Sequence, residues 1–165
     1  MNNRFKKIWL VLGLNLAVLI LFVADRVLKF FIRALPPVDA GGIFLLGDFL
    51  KLRLAFNPGL AFGIKINFYL IILFYLAIIL ILIWFLAGSY KKFFAGGNKS
   101  VVIFSLSLII AGAGSNLLDR LWLGRVVDYF DLKYYSVFNL ADVLICLGAV
   151  FILVDDIFCR SVSKK

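Results

Sequence analysis

Three stretches of this chain run without a charged side chain for the length of a membrane span: Ile8–Ala24, Phe68–Gly88 and Ser100–Leu118. A helix crossing a bilayer needs about 20 apolar residues, within a range of about 17–25. Backbone inside lipid must satisfy its own N–H and C=O groups, which leaves helices or closed barrels. The runs are continuous rather than alternating, so they are read as helices. A fourth run, Val143–Val154, is too short by itself. Extending it to about Val137 and Phe158 takes in Asn139 and Asp142. At 1.5 Å per residue Asp142 would then lie roughly 7 Å inside the helix end. An ionisable group at that depth is costly and points to function. The expectation is a membrane all-α protein: one domain over residues 1–165, with four transmembrane helices at 8–31, 68–88, 100–118 and 137–158. A small β-hairpin or cradle (43–66) and a short loop segment would lie on one outer face.

Composition closes off other classes. Hydrophobic residues make up 64% and charged residues 16%, against roughly 25% charged in a soluble chain, so too little polar surface exists to face water all round. The net charge of +9 sits in short basic clusters between apolar runs, an arrangement that serves membrane topology and not nucleic acid binding. The chain has no histidine, which removes Ser-His-Asp and Cys-His catalysis and most zinc sites. Cys146 and Cys159 are too far apart along one helix for a disulfide. The first run follows Arg4, Lys6 and Lys7 but exceeds the usual 7–15 residues of a signal peptide and has no small-x-small site after it, so it is read as a retained span.

Four spans put both termini on one side of the membrane. Asp25 and Lys29, the segment 36–67, the segment 119–137 and Asp142 gather on the other. Lysine and arginine counts tie at nine per side, but the tight clusters (Arg4-Lys6-Lys7, Lys91-Lys92-Lys99, Arg160-Lys164-Lys165) lie on the termini side, which is therefore read as cytoplasmic. On the outer side, Leu50 to Phe56 alternates in the period of a half-buried strand. Asn57-Pro58-Gly59 then suits a type II turn, and Phe62, Ile64 and Ile66 resume the alternation. This predicts a hairpin at the membrane surface.

All nine acids are aspartates, and seven fall on the outer side. Two carboxylates suffice for peptide hydrolysis, because like charges at close range share one proton: one takes a proton from water while the other donates to the carbonyl. Asp142 is a candidate, although Asn139-Leu140-Ala141-Asp142 also suits a helix start with Asn139 as N-cap. Asp128 and Asp131 lie in surroundings too apolar for an ordinary solvated loop. Asp119, at a helix C-terminus where the dipole disfavours it, needs a cation; a local pair with Arg120 is the structural reading. The functional reading has Asn116 and Arg120 orienting substrate or acids. Asp25 and Lys29 are spaced for an i,i+4 ion pair.

Four blocks, in order, resemble the lipoprotein signal peptidases (signal peptidase II). They are Asp25-Arg26-Val27-Leu28-Lys29, Asn57-Pro58-Gly59-Leu60-Ala61-Phe62-Gly63, Asn116-Leu117-Leu118-Asp119-Arg120 continuing to Asp128, and Phe138-Asn139-Leu140-Ala141-Asp142. Any one is weak; four at compatible spacing over nearly the whole chain are specific. Ser115 stands where that family usually has Gly, and Leu60 where it has Ala or Val. The resemblance implies an aspartic endopeptidase of the bacterial inner (plasma) membrane with Asp128 and Asp142 as the catalytic pair. Asn57, Gly59, Asn116, Asp119, Arg120 and Asn139 would line the site, and Asp25 and Lys29 would support it. It implies a diacylglyceryl-modified prolipoprotein substrate cut just before its lipidated Cys, and neither metal nor organic cofactor. Membrane lipid is the other expected partner, nucleic acid is not one, and a monomer is expected. Two rivals are a metal-dependent phospholipid-synthesis transferase, partly echoed by Gly124, Asp128 and Asp131, and a small four-span transporter. The transferase motif lacks its upstream elements. Transport sites sit near the midplane, whereas these acids collect at one face.

Overall fold

The computed structural model describes residues 3–34, 42–59 and 67–162. The described residues form four helices: α1 (Asn3–Ile32), α2 (Phe68–Phe94), α3 (Ser100–Leu123) and α4 (Leu140–Val162). Three strands accompany them: β1 (Ile43–Leu46), β2 (Leu50–Asn57) and β3 (Val126–Leu132). By length and composition α1, α2 and α3 can cross a membrane; α4 carries Asp142, Asp155 and Asp156 and packs along α3. More than half of the apolar window of α3 is buried (56%) against 6% for α2, so α3 is the centre and the other helices surround it. The outer faces of α1 and α2 expose Trp9, Leu12, Leu16, Leu73, Leu80 and Trp84, the surface expected where lipid, not water, is the solvent.

Two glycines set the closest helix contact. A Cβ on Gly112 of α3 would collide with the Ala141 carbonyl oxygen and with Ile145. A Cβ on Gly148 of α4 would come within 2.6 Å of both the Ser105 carbonyl oxygen and Ile109 Cγ1. Small residues let helix backbones approach in this way, and the approach brings the end of α3 against the start of α4. At the opposite end, Lys7 Nζ donates to the Phe93 carbonyl (2.6 Å) and the Asn15 amide pairs with the Tyr90 hydroxyl (2.8 Å), tying α1 to α2. Val11, Phe93 and Ile103 pack together beside them.

The sheet is antiparallel in the order β1-β2-β3. Its register places Ala55 opposite Asp128 and Asn57 opposite Val126, with an irregularity between Leu52 and Ala55. The alternating strand expected at 50–56 is β2, but its described partners differ from the expected hairpin. It pairs upstream with β1, across a turn where Gly47 adopts φ 51°, and downstream with β3; the strand expected over Phe62–Ile66 lies outside the described residues. The segment 119–137, expected as a loop, instead supplies the last turn of α3 and then β3. Val126 is buried, and Val127 and Tyr129 pack against Ile32 and Leu54, so the run pairs and packs like an inner strand. Gly124 ends α3 in the left-handed conformation (φ 71°), its N–H bonded to the Arg120 carbonyl, as helix-ending glycines do.

The start of α4 also differs from expectation. The helix begins at Leu140, so Asp142 stands in its first turn and not roughly 7 Å inside. The Asn139 side chain accepts from Asp142 N (2.9 Å) and the Asp142 carboxylate accepts from Asn139 N (3.1 Å). This is a reciprocal cap that satisfies two otherwise orphaned amides.

If the glycine contact holds α3 and α4 together, Gly148→Leu should destabilise the protein by ~1–3 kcal/mol through overpacking. Gly114→Ala, where a Cβ meets nothing within 4 Å, should leave the unfolding midpoint in detergent unchanged.

Candidate active site

At the end of α1, Asp25 and Lys29 are both fully buried. The Lys29 ammonium lies 3.0 Å from Asp25 Oδ2 and 2.9 Å from Asp119 Oδ2, and donates to Asn116 Oδ1 at 2.9 Å. Arg26 Nη1 reaches Asp119 Oδ1 at 2.5 Å. Asp119 therefore takes its cations from α1 and forms no pair with its neighbour Arg120, contrary to the local ion pair anticipated from the sequence. The reason is geometric: α1 presents two cations to the buried face of α3. The Ser115 hydroxyl donates to Asp25 Oδ2 at 2.5 Å, so this chain's serine adds a donor where the resembled pattern has a glycine.

Asp25 also reaches across to α4. Its Oδ1 accepts from Ala141 N (3.1 Å) and from the Tyr129 hydroxyl (3.0 Å), while that hydroxyl accepts from Leu140 N (3.0 Å). Two first-turn amides of α4 are thus held by groups from α1 and β3. Burial first, and the Asp25 charge second, push the Tyr129 phenol far above its ordinary value, so it stays a donor.

Asn116 and Asn139 carry the two remaining aspartates. Lys29 can only donate, so the oxygen of Asn116 must face it and its NH₂ must face outward; that NH₂ donates to Asp142 Oδ1 at 2.8 Å. Asn139 Nδ2 donates to Asp128 Oδ1 at 2.6 Å, while its oxygen and backbone N–H hold Asp142. One residue therefore contacts both carboxylates. Burial first, and the neighbouring Asp142 carboxylate second, push the Asp128 carboxyl up to about 7; Asn139, Lys29 and Asn57 oppose the rise. Asn57 also accepts from Gly59 N (3.0 Å), and the Gly59 carbonyl accepts from Arg120 Nη2 (2.7 Å). The turn after β2 is thereby fastened to α3. Arg120 Nε is buried and has no hydrogen-bond partner among the described residues, and the guanidinium stacks 4.7 Å from the Tyr75 ring.

The ten residues singled out in the sequence thus form one connected group. Asp131 lies apart, paired with Arg53 at 2.6 Å. Sequence reasoning missed Tyr129, Arg26, Ser115 and Tyr75 as members of the group. A phenol inside the uncharged run of α2 was the available signal for Tyr75; nothing in the spacing marked the rest. Among the described residues no three His, Cys or Asp side chains converge as a metal-binding group.

The family model described as "Signal peptidase (SPase) II" matches residues 17–158. The chain belongs to the signal peptidase II family. It is accordingly a membrane aspartyl protease by family. A lipoprotein signal peptidase of Chlorobaculum parvum is 36% identical over 87% of this chain and 95% of its own length. That of Moorella thermoacetica is 34% identical over 84% and 88%, and that of Bartonella tribocorum 32% over 98% and 94%. A bacterial membrane enzyme solved by the in meso method at 2.3 Å shares the fold, with a TM-score of 0.72 at 24% identity over 93% of this chain and 92% of that one. Neither the transferase nor the transporter reading finds support among these matches.

Removing the cation between two buried carboxylates leaves uncompensated charge. Lys29→Met in this signal peptidase II should therefore cost ~3–5 kcal/mol, read from unfolding in mixed micelles. Tyr129→Phe should cost about 1 kcal/mol for its lost hydrogen bonds.

Proposed function

We propose that this signal peptidase II removes the signal peptide from diacylglyceryl-modified prolipoproteins, cutting just before the lipidated Cys, with Asp128 and Asp142 as the catalytic pair. The observation that carries this reading is Asn139, which donates to Asp128 with its amide while its oxygen and backbone N–H fix Asp142. Two carboxylates held by one residue, in a buried site, share a single proton. Asp142 is the ionised partner, at a helix N-terminus whose dipole favours negative charge and with Asn116 donating to it. Asp128 is the protonated one.

The chemistry follows from that division. Asp142 takes a proton from a water molecule as its oxygen attacks the scissile carbonyl carbon. Asp128 donates its proton to the carbonyl oxygen, giving a neutral tetrahedral diol. The pair then exchange roles: a diol hydroxyl returns a proton to Asp128, Asp142 protonates the departing nitrogen, and the C–N bond breaks. The products are a signal peptide with a free carboxylate and a lipoprotein with a free amine on its first Cys. Arg120, bound to the Gly59 carbonyl, positions the turn that covers substrate. A lipid-anchored substrate diffuses in the membrane plane, and its scissile bond sits near the interface. The proposed setting is a multi-pass monomer in the bacterial plasma (inner) membrane, termini cytoplasmic and pair at the outer face. Neither cysteine takes part, since the thioether belongs to the substrate.

A gel-shift assay with purified protein, diacylglyceryl prolipoprotein and EDTA tests the pair. Wild type should cleave, whereas Asp128→Asn and Asp142→Asn should each abolish cleavage while remaining folded; cleavage by either variant would overturn the assignment. The pH dependence adds a second check. An acid whose value is raised to about 7 loses its proton as pH rises through that value, so kcat should fall on the alkaline side with an apparent midpoint near 7, reported for the pair as a unit.

A further inference from the structure

A cavity of about 420 Å³ opens between the last turns of α2 and the start of α3. It lies at the membrane face opposite Asp128 and Asp142. Tyr75, against Arg120, and Lys91, at the cavity, are separated by about 24 Å of helix at 1.5 Å per residue. Trp84, Gly88 and Lys91 occupy positions i, i+4 and i+7 on α2, one face of the helix. The cavity therefore runs from an apolar end at Trp84 to a cationic rim formed by Lys91, Lys92 and Lys99. Its middle is narrow in side chains: Ala87 and Gly88 line it, and a Cβ on Gly88 would meet nothing within 4 Å.

The three rim lysines differ from the cations that lie beside the aspartates. Arg26, Lys29, Lys51 and Arg53 each pair with a carboxylate. Lys91, Lys92 and Lys99 form no ion pair with an aspartate among the described residues. The loop 95–98 holds their backbones together, through Ala95 N to the Lys91 carbonyl (3.0 Å) and Gly97 N to the Lys92 carbonyl (3.0 Å). Lys99 is the N-cap residue of α3 and makes no side-chain capping bond. Three charges without an aspartate partner among the described residues thus line one rim of the cavity, beside Trp84, Phe85 and Gly88.

We infer that this slot binds an anionic phospholipid, with the phosphate headgroup under Lys91, Lys92 and Lys99 and an acyl chain along Gly88 and Trp84. Charge complementarity names the occupant: a basic pocket between membrane helices at the interface suits a phosphate-bearing lipid with net negative charge. A zwitterionic lipid carries its own ammonium beside the phosphate and gains less from the rim. Bilayer lipid must cover this face in any case; the inference is that the rim selects which lipid does so. The site is distinct from the catalytic pair and does not depend on the proposed cleavage.

Trp84 reports on its own neighbourhood. The chain has three tryptophans, so Trp9→Phe with Trp122→Phe leaves Trp84 as the sole indole. This protein is reconstituted in phosphatidylcholine vesicles containing about a tenth of either brominated phosphatidylglycerol or brominated phosphatidylcholine. Brominated phosphatidylglycerol should quench Trp84 more strongly. Each lysine removed should weaken the preference by about fivefold, so Lys91→Gln, Lys92→Gln and Lys99→Gln together should equalise the two lipids. Lys6→Gln with Lys133→Gln, outside the cavity, should preserve the difference. Equal quenching by both lipids in the unsubstituted rim, or a preference that survives the triple substitution, would overturn the inference.

Discussion

The end of this bundle that holds the buried aspartates is organised by one ammonium group. Lys29 sits between Asp25 of its own helix and Asp119 of α3, and its remaining donor capacity is spent on Asn116 and Ser115. Away from water two carboxylates on neighbouring helices would repel each other strongly. With Lys29 between them, α1 and α3 are drawn together instead. The cost of burying these charges is recovered only because nearly every lone pair and proton is matched. Arg26 completes the match on Asp119, and Tyr129 and Ala141 N complete it on Asp25.

The consequence reaches the proposed catalytic pair through two asparagines. Lys29 fixes which way Asn116 points, and so which group meets Asp142. Asn139 reads the position of Asp128 and, as the helix cap, that of Asp142. Taken over the whole cluster, Asp25, Asp119 and one ionised member of the pair face Arg26, Lys29 and Arg120. Three negative charges meet three positive ones. A second ionisation within the pair would break that balance in a buried place, which is the electrostatic argument for the single proton proposed for it.

The membrane character and the candidate residues were legible because lipid punishes charge. A long run without Asp, Lys or Arg reads as a span, and an Asp that interrupts one draws notice. The β region was less legible. Ile43–Leu46 carries no alternation, since all four residues are exposed at the sheet edge, and Val126–Tyr129 is buried throughout; neither displays the period of two that marked β2. The start of α4 held two readings in one pattern: Asn139 and Asp142 are a helix cap and neighbours of Asp128 at once. The cations of Asp119 were invisible for another reason. Sequence adjacency favoured Arg120, but a helix turns about 100° per residue, and that turn sends Arg120 towards Gly59 instead.

The outward faces of α1 and α2 carry large apolar side chains that are mostly exposed. Lipid asks of these positions only that they be apolar and of helical propensity, so Leu, Ile, Val and Phe can replace one another there at little cost. The demands of shape fall on a minority of residues: the glycines between α3 and α4, and the buried polar cluster. A chain of this design can therefore drift far in overall identity while its backbone stays in place, as the 24% identity beside a TM-score of 0.72 illustrates. For such proteins percentage identity is a poor clock of divergence, because most of what it counts is substitution under the loosest constraint.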